Sequence, residues 1–284
     1  MIPRVHTIDV TLRVGEPFYL TPIFDAHLDD AMCDYRALKK MADERRDLPN
    51  HRMIWCGDFC NLVTPPDLKR FRPSVQSDKV ARRDDWLNAT VEDVIAKIEG
   101  LDCKHDLFSP GNHEDSTLKF HGYDITSVVA AHFKAKRGGY SGGIDYKIRI
   151  ANSTARSLFR VVYHHGAWGG RLAKGYNGAW PFFSQIDGWD AALYGHCHAM
   201  RHDKDVRRRV HNGQIEEYLV HLVNCGQWVE AYGEDAGITY YSERAGHMPT
   251  PRACPLIKVV PRRFQKYTHG EREQRQFVEC TVEV

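Results

Sequence analysis

The sequence is most easily bounded by what it lacks. Its 284 residues hold no apolar run near the ~18–20 residues of a membrane span. The first residues, Met1-Ile2-Pro3-Arg4-Val5-His6, have no apolar stretch of the secretory kind, so a cytoplasmic location and no membrane partner are expected. Net charge is almost absent, at +2 from 39 basic and 37 acidic residues. That balance excludes a global pull toward nucleic acid or membrane, and any electrostatic preference must be local. No two of the eight cysteines form a Cys-x-x-Cys pair, which argues against a zinc ribbon or a disulfide framework and for reduced thiols. No period of 20–50 residues recurs, so a solenoid is excluded, and no segment is compositionally simple.

What remains is a chain with 42% hydrophobic and 27% charged residues, the proportions of a globular protein able to bury a core. One domain over 1–284 is expected. Sixteen histidines are many for this length. Several of them fall directly after short apolar runs rich in aromatic or β-branched residues. Such runs read as buried strands. Phe18–Phe24 leads into Asp25-Ala26-His27, and Arg52–Cys56 into Gly57-Asp58. Leu107–Pro110 leads into Gly111-Asn112-His113-Glu114, Leu158–Tyr163 into His164-His165, and Ala191–Tyr194 into Gly195-His196-Cys197-His198. Ligand sites of α/β sheets collect beyond the carboxyl ends of strands. Five strand ends are therefore expected to converge on one rim.

Helices are expected over Asp30–Arg46 and Asp84–Ile98, where apolar residues recur at helical spacing, with Thr90 and Asp93 as a cap inside the second. The stretch 62–83 reads equally as a lid over the site and as a plain surface connection. In the β-rich last third, His211-Asn212-Gly213-Gln214 marks a hairpin between Val206–Val210 and Ile215–Val220.

Each motif has its own chemistry. Asp25 and His27, two apart on an extended segment, share a face and can reach one cation. The carboxylate of Asp58 can bridge two. Asn112 offers a neutral oxygen, and the adjacent His113 is placed to face a substrate as an acid. One of His164 and His165 should point to the rim. His196 and His198 share a face, with Cys197 on the other. These oxygen and nitrogen donors suit Mn²⁺, Fe, Zn²⁺ or Co²⁺, and not Ca²⁺ alone or an iron–sulfur cluster. Arg171 and Lys174, in a glycine-containing loop after His165, are candidate phosphate contacts. Trp168, Tyr176 and Trp180 could stack on bases, although such aromatics are more often core. Arg207-Arg208-Arg209 reads more readily as a solvated strand face than as a nucleic-acid contact.

In this order and from about Phe24 to Gly226, the five blocks resemble those of the calcineurin-like metallophosphoesterase superfamily. Val223-Asn224-Cys225-Gly226-Gln227-Trp228 is similar to the strand that follows the last block there, with Gln227 in place of Ser. The resemblance implies a four-layer αββα sandwich, with two facing mixed sheets inside and helices outside. It implies two divalent metal ions, Mn²⁺ first, with Fe, Zn²⁺ or Co²⁺ as alternatives. Asp25, His27 and His198 would hold one, and Asn112, His196 and His165 the other. Asp58 would bridge them, and His113 would be the catalytic acid. Members with Thr-His-Gly at this block point to His165, and members with His-His-Pro point to His164.

The chain lacks Asp-Arg-Gly after Gly57-Asp58 and has Pro110 where the protein phosphatases have Arg. The phosphodiesterase and nuclease branches fit better. The implied activity is attack of a metal-bridging hydroxide on a phosphodiester of a nucleotide or nucleic acid, with His113 protonating the leaving group. A phosphomonoesterase or dinucleotide polyphosphate hydrolase is the alternative within the class, and a catalytically silent metal-binding scaffold is the alternative outside it. The oligomeric state is not legible.

Overall fold

The computed structural model describes residues 4–62, 83–154, 156–168, 173, 175–211, 213–230, 234–235, 238–239, 249–268 and 271–284. Its strands are β1 (Val5–Leu12), β2 (Phe18–Ile23), β3 (His51–Cys56), β4 (Lys104–Ser109), β5 (Lys136–Arg137), β6 (Ser141–Ile150), β7 (Arg156–His164), β8 (Ala191–Tyr194), β9 (Met200–His211), β10 (Gln214–Cys225), β11 (Glu234–Asp235), β12 (Ile238–Thr239), β13 (Leu256–Thr268) and β14 (Glu271–Glu283). The helices are α1 (Tyr35–Arg45), α2 (Trp86–Glu99), α3 (Asn112–His121), α4 (Ile125–His132) and α5 (Tyr176–Ser184).

Two mixed six-stranded sheets dominate, in the orders β1-β6-β7-β8-β10-β9 and β14-β13-β2-β3-β4-β5. The alternation of side chains along each strand explains why they stack. In β3, Ile54 and Cys56 join the core between the sheets, while Met53 and Trp55 face the other way. There they meet Leu38 and Met41 of α1, Val94 and Ile98 of α2, and Ile125 and Val129 of α4. In β8, Ala191 and Leu193 enter the shared core, and Ala192 and Tyr194 pack with Ala179 and Phe183 of α5. The order of layers is helix, sheet, sheet, helix, as expected. No described helix is long and apolar enough to cross a membrane.

Register sets the site. In one sheet β2, β3 and β4 are parallel, with Ile23 beside Trp55 and Cys56 beside Ser109. In the other β7 and β8 are parallel, with His164 beside Tyr194. Strands ending level with one another release their next residues at the same edge. The expected single rim is therefore shared by two sheets, three strand ends from one and two from the other.

Local differences from expectation have simple causes. Helix α1 starts at Tyr35 and not Asp30, because Asp30 accepts from the backbone N–H of Met32 and Asp34 caps the helix by accepting from Ala37 N–H. Thr90 caps nothing, since its hydroxyl donates back to the Trp86 carbonyl inside a continuous α2. The expected hairpin is present as the antiparallel pair β9–β10 but is longer than expected, because the pairing runs back to Met200 and Cys225.

Candidate metal centre

Beyond Ile23 the chain leaves the extended conformation. Asp25 and His27 both take positive φ, at 50° and 45°. Their convergence thus comes from a left-handed backbone and not from the shared face of a strand, which corrects the expected reason. Asp58, His196 and His198 also have positive φ, at 50°, 67° and 50°. The turns are held by backbone bonds across the strand ends. Asp25 N–H donates to Gly57 O (3.2 Å), His27 N–H to Asp58 O (3.0 Å), and Trp228 N–H to Asp25 O (3.1 Å).

Three groups of donor atoms result, each within 4.8 Å: Asp25, His27 and His198; His27, Asp58 and His113; and Asp58, His165 and His196. His27 is common to the first two and Asp58 to the last two, so the three groups form one chain of donors. Asn112 completes the third, with Oδ1 3.2 Å from His165 Nε2. Every expected metal-ligating residue is therefore brought to one place.

Between the paired histidines the geometry is unambiguous. His165 is fully buried, with Nε2 3.0 Å from Asp58 Oδ2 and 3.9 Å from Asp25 Oδ1. Its Nδ1 lies 3.2 Å from the Cys56 carbonyl, which can only accept, so Nδ1 carries the proton and Nε2 is turned to the centre. His164 faces away. Its Nδ1 accepts from Gly166 N–H (2.9 Å), and its ring packs on Trp168 and Phe182.

Close approach requires missing side chains. A Cβ on Gly111 would stand 2.2 Å from Asp58 Oδ1, and one on Gly195 2.7 Å from Asp25 Oδ2. Gly57 is constrained twice, by φ of 100° and by His165 Nδ1 2.2 Å from where its Cβ would be.

Asp58 sits at the N-terminus of α3, where Oδ1 accepts from His113 N–H (3.0 Å), a placement that favours negative charge. Burial pushes Asp58 up, but the imidazoles of His165 and His113 and the hydrogen bond from His165 outweigh it and hold the carboxyl well below its usual range. Asp25 goes the other way, to about 7, through burial and the Asp58 charge, although His165 opposes the rise. Burial lowers His165, yet Asp58, with Asp25 and Glu114 adding, raises it to about 9. His198 is lowered to about 4 by burial.

These directions describe a buried anionic pocket that uses an imidazolium as counter-charge. A divalent cation would supply that charge and leave Nε2 of His165 free as a ligand. Two buried atoms, Asp25 Oδ1 and His27 Nδ1, have no hydrogen-bond partner among the described residues. An orphaned buried carboxylate oxygen is costly unless something else meets it. The donor set is carboxylate, amide and imidazole, without thiolate. Cys197 packs beside the outer α5 cluster, its thiol raised to about 11 by burial. The residues fit a metal ion.

Glu114 was not singled out as a site residue, yet it organises the centre. Its carboxylate accepts from Asp58 N–H (3.0 Å), Cys60 N–H (2.8 Å) and Gly111 N–H (2.8 Å). An acidic residue at the third helical position after a glycine N-cap is the sequence signal for this bracket. Asp29 and Asp30 were also missed, and they bind the chain at Asn61 and Leu62.

The expected substrate contacts fare differently. Arg171 and Lys174 lie outside the described residues, as does the 63–82 stretch on which the lid reading rests. Trp168 is packed against His164 and Phe182. Tyr176 and Trp180 are half-buried and stacked, with Arg201 over Tyr176 at 4.1 Å. The arginine run is committed to the protein: Arg207 donates to the Ser184 and Ile186 carbonyls, Arg208 pairs with Glu217, and Arg209 pairs with Glu216.

Neither models of known protein families nor curated proteins give a match to this chain.

Proposed function

We propose that this chain is a two-metal phosphoesterase of the calcineurin-like kind, acting on phosphodiesters of nucleotides or nucleic acids. The observation that carries the reading is the pair of donor clusters Asp25–His27–His198 and Asp58–His165–His196, linked by the cluster of His27, Asp58 and His113. Asp25, His27 and His198 would hold one cation and Asn112, His165 and His196 the other, with Asp58 common to both. Mn²⁺ is the first candidate, and Fe, Zn²⁺ and Co²⁺ suit the same donors. The phosphodiesterase branch rests on the sequence: no Asp-Arg-Gly follows Asp58, and two histidines flank Cys197.

Two cations so held supply Lewis-acid charge for phosphate oxygens and lower the pKa of a water. The protein's share is to hold donors and one acid. Glu114 fixes the Asp58 turn through three backbone N–H groups, so the shared carboxylate cannot swing out. The Cys56 carbonyl fixes the His165 ring. His113 bonds to the Asn61 carbonyl through Nδ1, leaving Nε2 on the side of the Asp58 carboxylate, at 3.9 Å. From Nε2, the imidazolium gives its proton to the departing oxygen.

The test is metal content by mass spectrometry, together with turnover of bis-p-nitrophenyl phosphate, p-nitrophenyl phosphate, cyclic nucleotides and single-stranded DNA. Two metals per chain and diester turnover are expected, and both should fall in Asp58→Asn. Two metals with no turnover of any ester would establish a scaffold instead. A wild-type chain that binds no divalent cation would remove the proposal altogether.

A further inference from the structure

Asp58 faces Nε2 of His113 at 3.9 Å, but among the described residues no carboxylate bonds to Nδ1. The partner of its Nδ1 is the backbone carbonyl of Asn61. A carbonyl accepts and cannot donate, so this contact places the proton on Nδ1 and aims Nε2 at the centre. A backbone carbonyl orients an imidazole only if the backbone itself is fixed. Asn61 lies just beyond Gly57–Cys60 and just before Leu62, which has a positive φ of 47°, a conformation an unbranched loop would not keep unaided.

The restraint comes from one neighbouring turn. Asp29, a buried carboxylate, accepts from Asn61 N–H through Oδ1 (2.5 Å) and from Leu62 N–H through Oδ2 (2.9 Å). Asp30 accepts from Asn61 Nδ2 (2.7 Å) with one oxygen and from Met32 N–H (2.8 Å) with the other. Leu28 N–H donates to the Phe59 carbonyl (2.8 Å). The turn is tied in turn to α2, where Lys97 Nζ donates to the Leu28 carbonyl (2.5 Å) while paired with Asp93 (2.6 Å). Both hydrogens that the Asn61–Leu62 backbone can donate, and the Asn61 amide, thus end on Asp29 and Asp30. The Asn61 carbonyl, held between these two donors, meets His113.

We propose that Asp29 and Asp30 are positioning residues for His113, acting through the Asn61 carbonyl. The six residues Asp25–Asp30 would then serve both parts of the chemistry, Asp25 and His27 for the cation and Asp29 and Asp30 for the acid. The inference rests on the role proposed above for His113. It adds that the tautomer of His113 is set by carboxylates that touch neither the ring nor the metal cluster.

The experiment uses the full-length chain loaded with diamagnetic Zn²⁺ and labelled with ring-¹⁵N histidine. Signals of His113 are identified by their loss in His113→Gln. In the wild type, neutral His113 should be the Nδ1–H tautomer. In Asp29→Ala it should become a mixture of tautomers, and Asp29→Asn, which keeps one acceptor oxygen, should restore part of the Nδ1–H form. Metal content should stay at the wild-type value. Hydrolysis of a diester with a phenol leaving group should fall by about 10²-fold or more. Hydrolysis of the p-nitrophenyl diester, whose leaving group needs little protonation, should change far less. If Asp29→Ala does not fold, Asp30→Ala supplies the same two readouts from the outer side of the turn. A wild-type tautomer and an unchanged ratio between the two esters, in whichever variant folds, would overturn the proposal. If the wild type hydrolyses neither ester, the phosphoesterase reading fails, while the tautomer measurement still decides whether the clamp exists.

Discussion

Gly57→Ala probes the centre with a single methyl group. The backbone at Gly57 has φ of 100°, which an L-residue reaches only with strain of roughly 1–3 kcal/mol. The new Cβ would lie 2.2 Å from His165 Nδ1, 2.6 Å from His165 Cγ and 2.9 Å from Gly111 Cα. His165 has no room to yield: it is fully buried and held at both ring nitrogens, by Cys56 O at 3.2 Å and Asp58 Oδ2 at 3.0 Å. Overpacking of a tight site adds about 1–3 kcal/mol. The sum, ~2–6 kcal/mol, is a large part of the ~5–15 kcal/mol that keeps a domain folded. At ~2–4 °C per kcal/mol, the melting midpoint should drop by ~5–20 °C. Metal bound at Asp58, His165 and His196 should be lost as well, because the ring must turn to clear the methyl.

The control is Gly15→Ala. Gly15 also has positive φ, at 84°, but nothing lies within 4 Å of its Cβ position. It should show the backbone strain alone and a full complement of metal. Thermal melts by circular dichroism and metal analysis on both variants decide the matter. Wild-type metal content in Gly57→Ala, or equal losses in the two variants, would refute the reasoning.

Two further outcomes are expected. His165→Ala should lose metal, whereas His164→Ala should keep it and lose packing against Trp168 and Phe182 and the bond from Gly166 N–H; equal metal loss in both would show that the paired histidines are not distinguished by the Cys56 contact. The buried His105, whose Nδ1 accepts from Trp55 Nε1–H (3.1 Å), is pushed down to about 4, chiefly by burial and secondarily by His51. Its folded value lies below the ordinary 6.5, so the stability it contributes is complete above about pH 6.5 and is lost as pH falls toward 4. By pH 5 the loss is ~2 kcal/mol at 1.36 kcal/mol per unit. In urea unfolding at pH 7.5 and pH 5, His105→Gln should shrink the difference between the two pH values by about that amount, and an unchanged difference would show that the ring titrates freely.

The parts of the molecule that read clearly from sequence are those where local pattern and function coincide. Runs such as Met53–Cys56 and Ala191–Tyr194 are buried on both faces, so they are apolar throughout and stand out as strands. The polar residues after them were visible because the apolar run stops abruptly. Their distribution over two sheets was not visible, since no residue of β7 announces that its parallel partner is β8 and not β4. The left-handed turns at Asp25 and His27 were hidden for a related reason. Asp and His alternate there as they would on a strand, and only the bonds to Gly57 and Asp58 reveal the turn. His164 and His165 cannot be ranked by pattern, because either can follow β7; the Cys56 carbonyl, far away in sequence, decides which ring faces inward. Asp30 read as the start of a helix because apolar residues recur at helical spacing after it, and Asp29 carried no signal of its own. Their long-range partners, Asn61 and Leu62, lie in a stretch without periodicity.

The positive φ values at Asp25, His27, Asp58, His196 and His198 limit which residues these positions accept. Among residues with a Cβ, Asp, Asn and His tolerate that backbone best, and β-branched residues tolerate it worst. Asp and His are also good donors for borderline cations. Two unrelated filters, one steric and one chemical, therefore admit almost the same short alphabet. Glycine is the exception, because it passes the steric filter with ease and fails the chemical one completely. Selection for a more stable fold alone would push these positions toward glycine and erase the centre while the sandwich improved. The Asp and His side chains present there supply donor atoms that folding by itself does not require.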